Sequence, residues 1–362
     1  MPLLKKLDGR FEALYNLVAE DEDARSCRDL DESACTWVPR NFFIILITST
    51  LTKLGDAFSS PKTVLTWVLA SVGAPTGMIA MLVPIRESGS MLPQLILGAW
   101  VRRKPLRKPI WVTGSLLQAV AVLGCAGAAA WLDGRAAGWV ILGCVILFSL
   151  ARSLNSLADK DLVGKTIPKG RRGRLGGWAS GISGLLTLAV GIWFAVRERG
   201  EDSPLFYAGL LGVAGLTWIL AALLFSAVEE TPGETEGGAN GWREAWSRLD
   251  LLRTDAPFRR FVITRALLLC SALTSPFYVV LARQHSGSGA SLLGTFLVAG
   301  GLATSLSAPI WGTMADRSSR RVLTLAALLT ALLGIVVFAV MQLQPSLART
   351  PLLFPSFFFV LG

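Results

Sequence analysis

The run Gly312-Thr313-Met314-Ala315-Asp316-Arg317-Ser318-Ser319-Arg320-Arg321 is a short charged turn set between two long apolar stretches. It reads as a hairpin joining two membrane helices. Gly312 lets helices approach closely, and Asp316 places a carboxylate where one helix stops. Arg317, Arg320 and Arg321 hold the turn on the cytoplasmic side, where short loops collect Lys and Arg. A degenerate copy lies much earlier, in Gly98-Ala99-Trp100-Val101-Arg102-Arg103-Lys104-Pro105-Leu106-Arg107-Lys108. It keeps the basic turn through Arg102, Arg103, Arg107 and Lys108, but Arg102 stands at the acidic position and Pro105 where the first copy has Ser319. Two related loops in one chain are what a fold built from two repeated halves would show.

Composition points the same way. With 52% hydrophobic and 17% charged residues among 362, and a mean hydropathy of +0.53, the chain is too apolar for an ordinary soluble domain. The net charge of +10 does not mark a nucleic-acid binder, because the basic residues alternate with apolar runs instead of forming one patch. Cys125, Cys144 and Cys270 lie inside apolar runs and Cys27 and Cys35 in the polar tail, an odd, scattered set that argues against a disulfide framework. The single His285 supplies neither a zinc site nor a catalytic base, so no metal, no cofactor and no enzyme activity are expected. Gly164-Lys165-Thr166 lacks the earlier glycine of a phosphate-binding loop, that position being Asp159.

The spacing Gly-x3-Asp-Arg-x2-Arg-Arg at 312–321 resembles the signature loop of the major facilitator superfamily of secondary transporters, with Ser319 where that family usually has glycine. The resemblance implies an all-α membrane protein of two six-helix bundles that rock around a midplane site. Apolar runs at about 41–69, 75–99, 109–132, 138–158, 175–196, 205–228, 258–282, 290–315, 322–342 and 352 to the end give nine spans of about 20 residues or more and a tenth that stops in mid-run. The expectation is therefore about ten helices of a usual twelve, the chain being truncated within the tenth. Residues 1–40 form a cytoplasmic tail without a secretory signal, where Leu4, Leu7, Phe11, Leu14 and Val18 suggest an amphipathic surface helix. Residues 41–228 make the N-terminal bundle, 229–256 a cytoplasmic middle loop with an interfacial helix near Trp242, Trp246 and Leu249, and 257–362 the incomplete C-terminal bundle. Basic turns on one side and nearly uncharged turns on the other place the N-terminus in the cytoplasm and the chain in the inner membrane.

Charges that a bilayer should exclude carry the candidate chemistry. In the first span Ser49, Thr52, Lys53, Asp56, Ser59, Ser60 and Thr63 recur at helical steps, so one polar face should line a cavity. Lys53 and Asp56 are also spaced to pair with each other. Arg86 and Glu87 in the second span cannot both face one way, and at least one should reach a neighbouring helix, Lys53 or Asp56 being the candidates on the first. Arg152 sits where the family often has an arginine in its fourth helix, linked with proton or substrate coupling, although the glycine expected four positions later is Ser156. Its alternative is an arginine that snorkels to the membrane edge. Arg265 lies in the seventh span, ahead of a bend or static kink at Pro276. Small surfaces at Gly176, Gly177, Gly181, Gly184 and Gly191 permit close packing of the fifth span, and the lack of a proline between Gly176 and Gly191 departs from the family's antiporters.

The resemblance places the first, fourth, seventh and tenth helices around the cavity, which points to Lys53, Asp56, Arg152 and Arg265, with Arg86 and Glu87 beside them. Four cations against two carboxylates favour an anionic or amphipathic small solute, and Asp56 or Glu87 is the candidate carboxylate for a coupling proton or other ion. The function implied is secondary active transport, by symport or antiport, with the lipid bilayer as the other partner and no nucleic acid. The alternative is a sensor or assembly protein that keeps the fold without transporting. The resemblance also implies that Asp316 latches the bundles by approaching the start of the fifth helix, around Gly173 to Trp178.

Overall fold

The computed structural model describes residues 35–196, 203–233, 235, 246–247, 249–287, 289–344 and 346–361. The expected tail helix and most of the middle loop, Trp242 included, lie outside them. The elements in chain order are α1 (Val38–Phe58), α2 (Val64–Ser71), α3 (Thr76–Arg102), α4 (Lys108–Trp131), α5 (Gly134–Thr166), α6 (Lys169–Val196), α7 (Pro204–Phe225), α8 (Leu251–Thr254), α9 (Ala256–Ala272), α10 (Thr274–Ser286), α11 (Ala290–Leu343), a 3-10 turn (Leu347–Arg349) and α12 (Leu353–Leu361). Among the described residues there is no strand. Trp246 and Leu249, expected on an interfacial helix, are exposed just before α8.

Helices dominate because hydrocarbon offers no partner for backbone N–H and C=O groups. Among the described residues five stretches are long and apolar enough to cross a bilayer by length and composition: Lys108–Trp131, Gly134–Thr166, Arg171–Val196, Pro204–Phe225 and Arg320–Leu343. The sequence pattern predicts ten apolar runs. Four of the other runs differ for physical reasons: α1 and α3 carry Lys53, Asp56, Arg86 and Glu87, two runs are split by breaks, and α12 is nine residues long. The run from Ala290 is represented by the shorter apolar stretch Ala290–Leu306.

Both breaks follow from proline. The first run does not continue as one helix: it stops at Phe58 and restarts at Val64, with Pro61 between. Hydroxyls satisfy the interrupted backbone. Ser59 Oγ donates to the Gly55 carbonyl at 2.7 Å, Thr66 Oγ1 to the Pro61 carbonyl at 2.7 Å, and Ser60 Oγ accepts from the Lys62 amide at 3.3 Å. The seventh run divides between α9 and α10 because Pro276 has no N–H for the carbonyl four residues back, that of Ala272, where α9 ends.

Two other boundaries differ from the sequence reading. The hairpin at 316–321 is reduced to a single interruption at Ser318, whose extended backbone (φ −166°, ψ 100°) divides α11. Ser318 Oγ accepts from the Arg321 amide at 3.4 Å, as an N-capping serine does. The fifth span begins at Lys169, not 175, so amides at 173–178 lie beyond the four N-terminal N–H groups that a helix leaves unpaired. The carboxylate-binding helix start expected there is absent. Cys35 is disulfide-bonded, so a bridge exists where the scattered cysteines argued against a framework, while Cys125 and Cys144 are free thiols.

In the first half α4 packs between α5 and α7, α3 lies on α5, and α1 is held by α6 and α7. Trp67, Phe148, Tyr207 and Trp218 fill its centre and Phe42, Trp111, Leu175 and Phe225 the end that carries the basic turns, with Trp111 stacked on Phe225 at 3.6 Å. Leu205, Leu216, Leu220 and Leu223 on α7 remain exposed, which suits a lipid-facing surface. The second half, α9 to α12, joins the first chiefly where α11 crosses α6.

That crossing is made by glycine. A Cβ on Gly294 would lie 2.5 Å from the Ala195 amide nitrogen and 2.6 Å from the Gly191 carbonyl, and one on Gly191 would lie 2.9 Å from the Val298 amide nitrogen. Backbone therefore meets backbone, and no side chain can swing aside. Gly176, Gly177 and Gly181 have open space instead, so of the glycines noted in this span Gly184 and Gly191 are the ones that serve the contact. We expect Gly294→Ala to lower stability by about 1–3 kcal/mol through overpacking, seen as a reduced melting temperature of the purified protein. Gly176→Ala should leave the melting temperature unchanged.

Candidate functional site

Asp56 lies in the last turn of α1, about 27 Å along the helix from Val38 at 1.5 Å per residue. Its carboxylate is held from two sides. Oδ1 accepts from Arg86 Nη2 of α3 at 3.0 Å, and Oδ2 pairs with Arg152 Nη2 of α5 at 2.8 Å. The side chains are 24%, 15% and 33% exposed respectively, so the triad is partly shielded. Aromatic faces complete the two cationic sites: the Arg86 guanidinium lies 4.2 Å from the Phe148 ring centroid and that of Arg152 5.7 Å from the Trp218 ring.

Glycines permit two close approaches at this level, of α1 to α7 and of α3 to α5. A Cβ on Gly55 would meet Trp218 Nε1 at 2.6 Å, and one on Gly89 would meet Ser149 Cβ at 2.8 Å. Arg86 reaches α1, and Arg152 turns inward to Asp56 instead of snorkelling. Asp56 takes the arginines in place of Lys53, since no ion pair among the described residues includes Lys53. Glu87 is half-buried beside Arg86 and outside the triad, while Ser90 and Gln94 donate to backbone carbonyls of their own helix, at 2.9 and 2.7 Å. Arg265 falls on α9, and its side chain lies outside the described residues.

Asp56 alone of the triad lines a cavity of about 430 Å³ between the halves. Lys53, Asp56, Ser60, Lys62 and Thr63 line it from the broken first helix, Ser180, Ser183 and Thr187 from α6, Thr304 and Phe296 from α11, and Phe358 from α12. The polar stripe therefore reaches the cavity in part. Ser59 instead turns back to Gly55, and Ser49 and Thr52 are not in the lining. Sequence reading missed Lys62 because an unbroken helix would have carried it to another face.

At the end away from the basic turns the halves are closed. Arg283 of α10 donates from Nη1 to the Trp67 carbonyl of α2 at 3.0 Å, with its guanidinium 5.4 Å from the Trp67 ring centroid. At the other end they part: α9 packs mainly against α8, α10 and α11, leaving Phe258, Phe261, Ile263 and Leu267 exposed.

The basic turns themselves are placed unequally. Gly312, Asp316 and Arg317 sit in α11 just before Ser318, with their side chains outside the described residues, and Arg320 and Arg321 are exposed. In the degenerate copy Arg102 and Arg103 are exposed, Gly98 has open space around it, and Arg107 is buried. Arg107 Nε pairs with Asp161 of α5 at 2.8 Å, and its guanidinium also donates to the Arg102 carbonyl at 3.2 Å. The carboxylate that this copy lacks is supplied from elsewhere. Glu230, 1% exposed, accepts from the Arg107 amide at 2.7 Å and the Lys108 amide at 2.7 Å, at the positive start of α4. Lys165 bridges Asp161 at 3.2 Å and Glu230 at 3.4 Å, and Lys108 Nζ donates to the Val228 carbonyl at 2.9 Å. Glu229-Glu230 directly after an apolar run beside a basic turn was the available signal, but nothing in the sequence told which turn it would cap.

No curated protein sequence matches the chain. Among solved structures, a D-xylose-proton symporter aligns over 89% of this chain and 80% of its own with a TM-score of 0.63 at 14% identity. The nucleoside transporter NupG, in the form of a point mutant, covers 88% and 80% with a TM-score of 0.65 at 11% identity. The xylose transporter XylE from E. coli in a partially occluded inward open conformation covers 89% and 84% with a TM-score of 0.59 at 16% identity. These identities establish a shared fold and nothing finer. The family model of the Major Facilitator Superfamily matches residues 41–362, so the chain belongs to that superfamily of membrane transporters.

Proposed function

We propose that this protein is a secondary active transporter that moves a small anionic solute by alternating access, coupled to protons, in the inner membrane with its N-terminus in the cytoplasm. The observation that carries the proposal is the Asp56 carboxylate held between Arg86 and Arg152 beside a cavity lined by both halves. A carboxylate with two cationic partners can exchange one for a proton when the helices move, and each event then biases the other. The D-xylose-proton symporter among its structural neighbours offers, by its name, a precedent for coupling on this fold. In this reading ten helices belong to a twelve-helix plan, α1 with α2 and α9 with α10 each counting as one broken span. The basic turns mark the cytoplasmic side, so the contact of Arg283 with Trp67 closes the outer end and the present state faces inward.

Coupling is tested in proteoliposomes carrying the purified full chain. Asp56→Asn and Glu87→Gln should each lower gradient-driven uptake by about tenfold, a difference of ~1.4 kcal/mol, while solute exchange without a gradient continues. Gradient-driven uptake at the wild-type rate in both variants, across the pH range, would exclude these carboxylates from coupling. A second measurement addresses the outer closure. Arg283→Gln removes a cation–π and carbonyl contact worth about 0.5–2 kcal/mol, so the outward-open population should rise about two- to thirtyfold. Faster labelling from outside of a cysteine introduced by Ser60→Cys, in a background without other reactive thiols, would report that shift.

A further inference from the structure

The break between α1 and α2 gives the cavity a property that an intact helix would not. Lys62 follows Lys53 by nine residues, which at about 100° per residue would put the two on opposite faces of a continuous helix. Because the helix stops at Phe58 and restarts at Val64, both lysines line the same space. Neither takes part in an ion pair among the described residues, and Asp56, the carboxylate in the lining, is occupied by Arg86 and Arg152. Asp159, beyond the lining, lies within electrostatic range of Lys53 but not in contact with it. Lys53 is exposed and Lys62 half-buried, so both ammonium groups are open to an anion that enters the cavity.

The wall opposite adds a second requirement. Ser180 Oγ donates to the Gly176 carbonyl at 2.9 Å, Ser183 Oγ to the Ser180 carbonyl at 3.1 Å, Thr187 Oγ1 to the Ser183 carbonyl at 2.8 Å and Thr304 Oγ1 to the Gly300 carbonyl at 2.9 Å. Each hydroxyl has thus committed its hydrogen to its own helix. What it offers a ligand is an acceptor lone pair. A ligand that satisfies this wall must bring several donors, as an alcohol-rich chain does. Phe296 and Phe358, an edge-to-face pair with centroids 5.4 Å apart, present a C–H surface against which a carbon skeleton can lie. The volume is at the small end of ligand cavities.

We infer that the cavity binds a small hydroxylated carboxylate, of the sugar-acid or hydroxy-acid class, with the carboxylate at Lys53 and Lys62 and the hydroxyls along α6. The inference rests on reading the cavity as the transport site and narrows it to one chemistry. Three six-carbon probes separate the two requirements: D-gluconate has both the charge and the hydroxyls, D-glucose only the hydroxyls, and hexanoate only the charge. In calorimetric titration of the purified full chain, gluconate should bind at least about tenfold more tightly than either, the usual effect of losing a charge-assisted contact or several hydrogen bonds. Lys62→Gln should weaken gluconate by about tenfold without weakening glucose, and Lys62→Arg should restore it, which separates loss of charge from loss of fold. Equal binding of glucose or hexanoate, no binding of gluconate, or unchanged gluconate affinity in Lys62→Gln would each overturn the inference. Exchange assays in proteoliposomes keep the two readings apart. Gluconate that binds but never crosses would overturn the transport reading and leave the site, whereas movement of glucose with exclusion of gluconate would overturn the site and leave transport.

Discussion

The arrangement of the first half depends on keeping one negative charge tolerable at membrane depth. An isolated carboxylate in a low-dielectric interior carries a desolvation cost of several kcal/mol, which attraction repays only when geometry is good and the remaining lone pairs are met. Asp56 meets that condition through two guanidinium groups from two different helices. Around them Gly89 lets α3 meet α5 at Ser149, and Gly55 lets α1 meet Trp218 of α7, the ring that faces Arg152. The aromatic rings of Phe148 and Trp218 face the cations with π-surface where water would otherwise be required. The charges and the aromatic rings at this level answer one electrostatic constraint.

A second constraint acts where the chain leaves the bilayer. Glu230 lies beyond α7, yet its carboxylate caps the start of α4 and joins Lys165 of α5, so the segment entering the middle loop is tied to the first half. Asn41 extends this attachment, exchanging hydrogen bonds of 2.8 and 3.0 Å with the backbone of Glu229. The beginning of the connection therefore moves with the first bundle.

Much of this was legible in the residues. Alternation of apolar runs with basic turns announced a polytopic helical protein, and Pro276 announced the bend between α9 and α10. Charges spaced along α1, α3 and α5 marked the helices that meet at Asp56. What could not be read was pairing, because Asp56 and Arg86 are 30 residues apart and helical periodicity says which face a residue takes, not what it faces. The break at 59–63 escaped for a different reason. Its serines and threonines fit a polar helical stripe as well as they fit a turn whose backbone they satisfy, and only the packed structure chooses between the two. The start of α6 was misplaced because Lys169, Arg171 and Arg172 look like loop, whereas Arg172 folds back to the carbonyls of Gly164 and Ile167 at 2.7 and 2.9 Å.

The glycine crossing of α6 and α11 is not centred. Gly191 stands five residues from the end of α6 at Val196 and 22 from its start at Lys169, so at 1.5 Å per residue the two arms are about 7 and 33 Å long. If the halves tilt about their closest backbone approach, α6 acts as a lever with arms in a ratio of more than four to one. A displacement at the short arm comparable to one broken hydrogen bond between Arg283 and Trp67 then sweeps the long arm through a distance on the scale of a solute. On such a pivot, loosening at one end is matched by travel at the other.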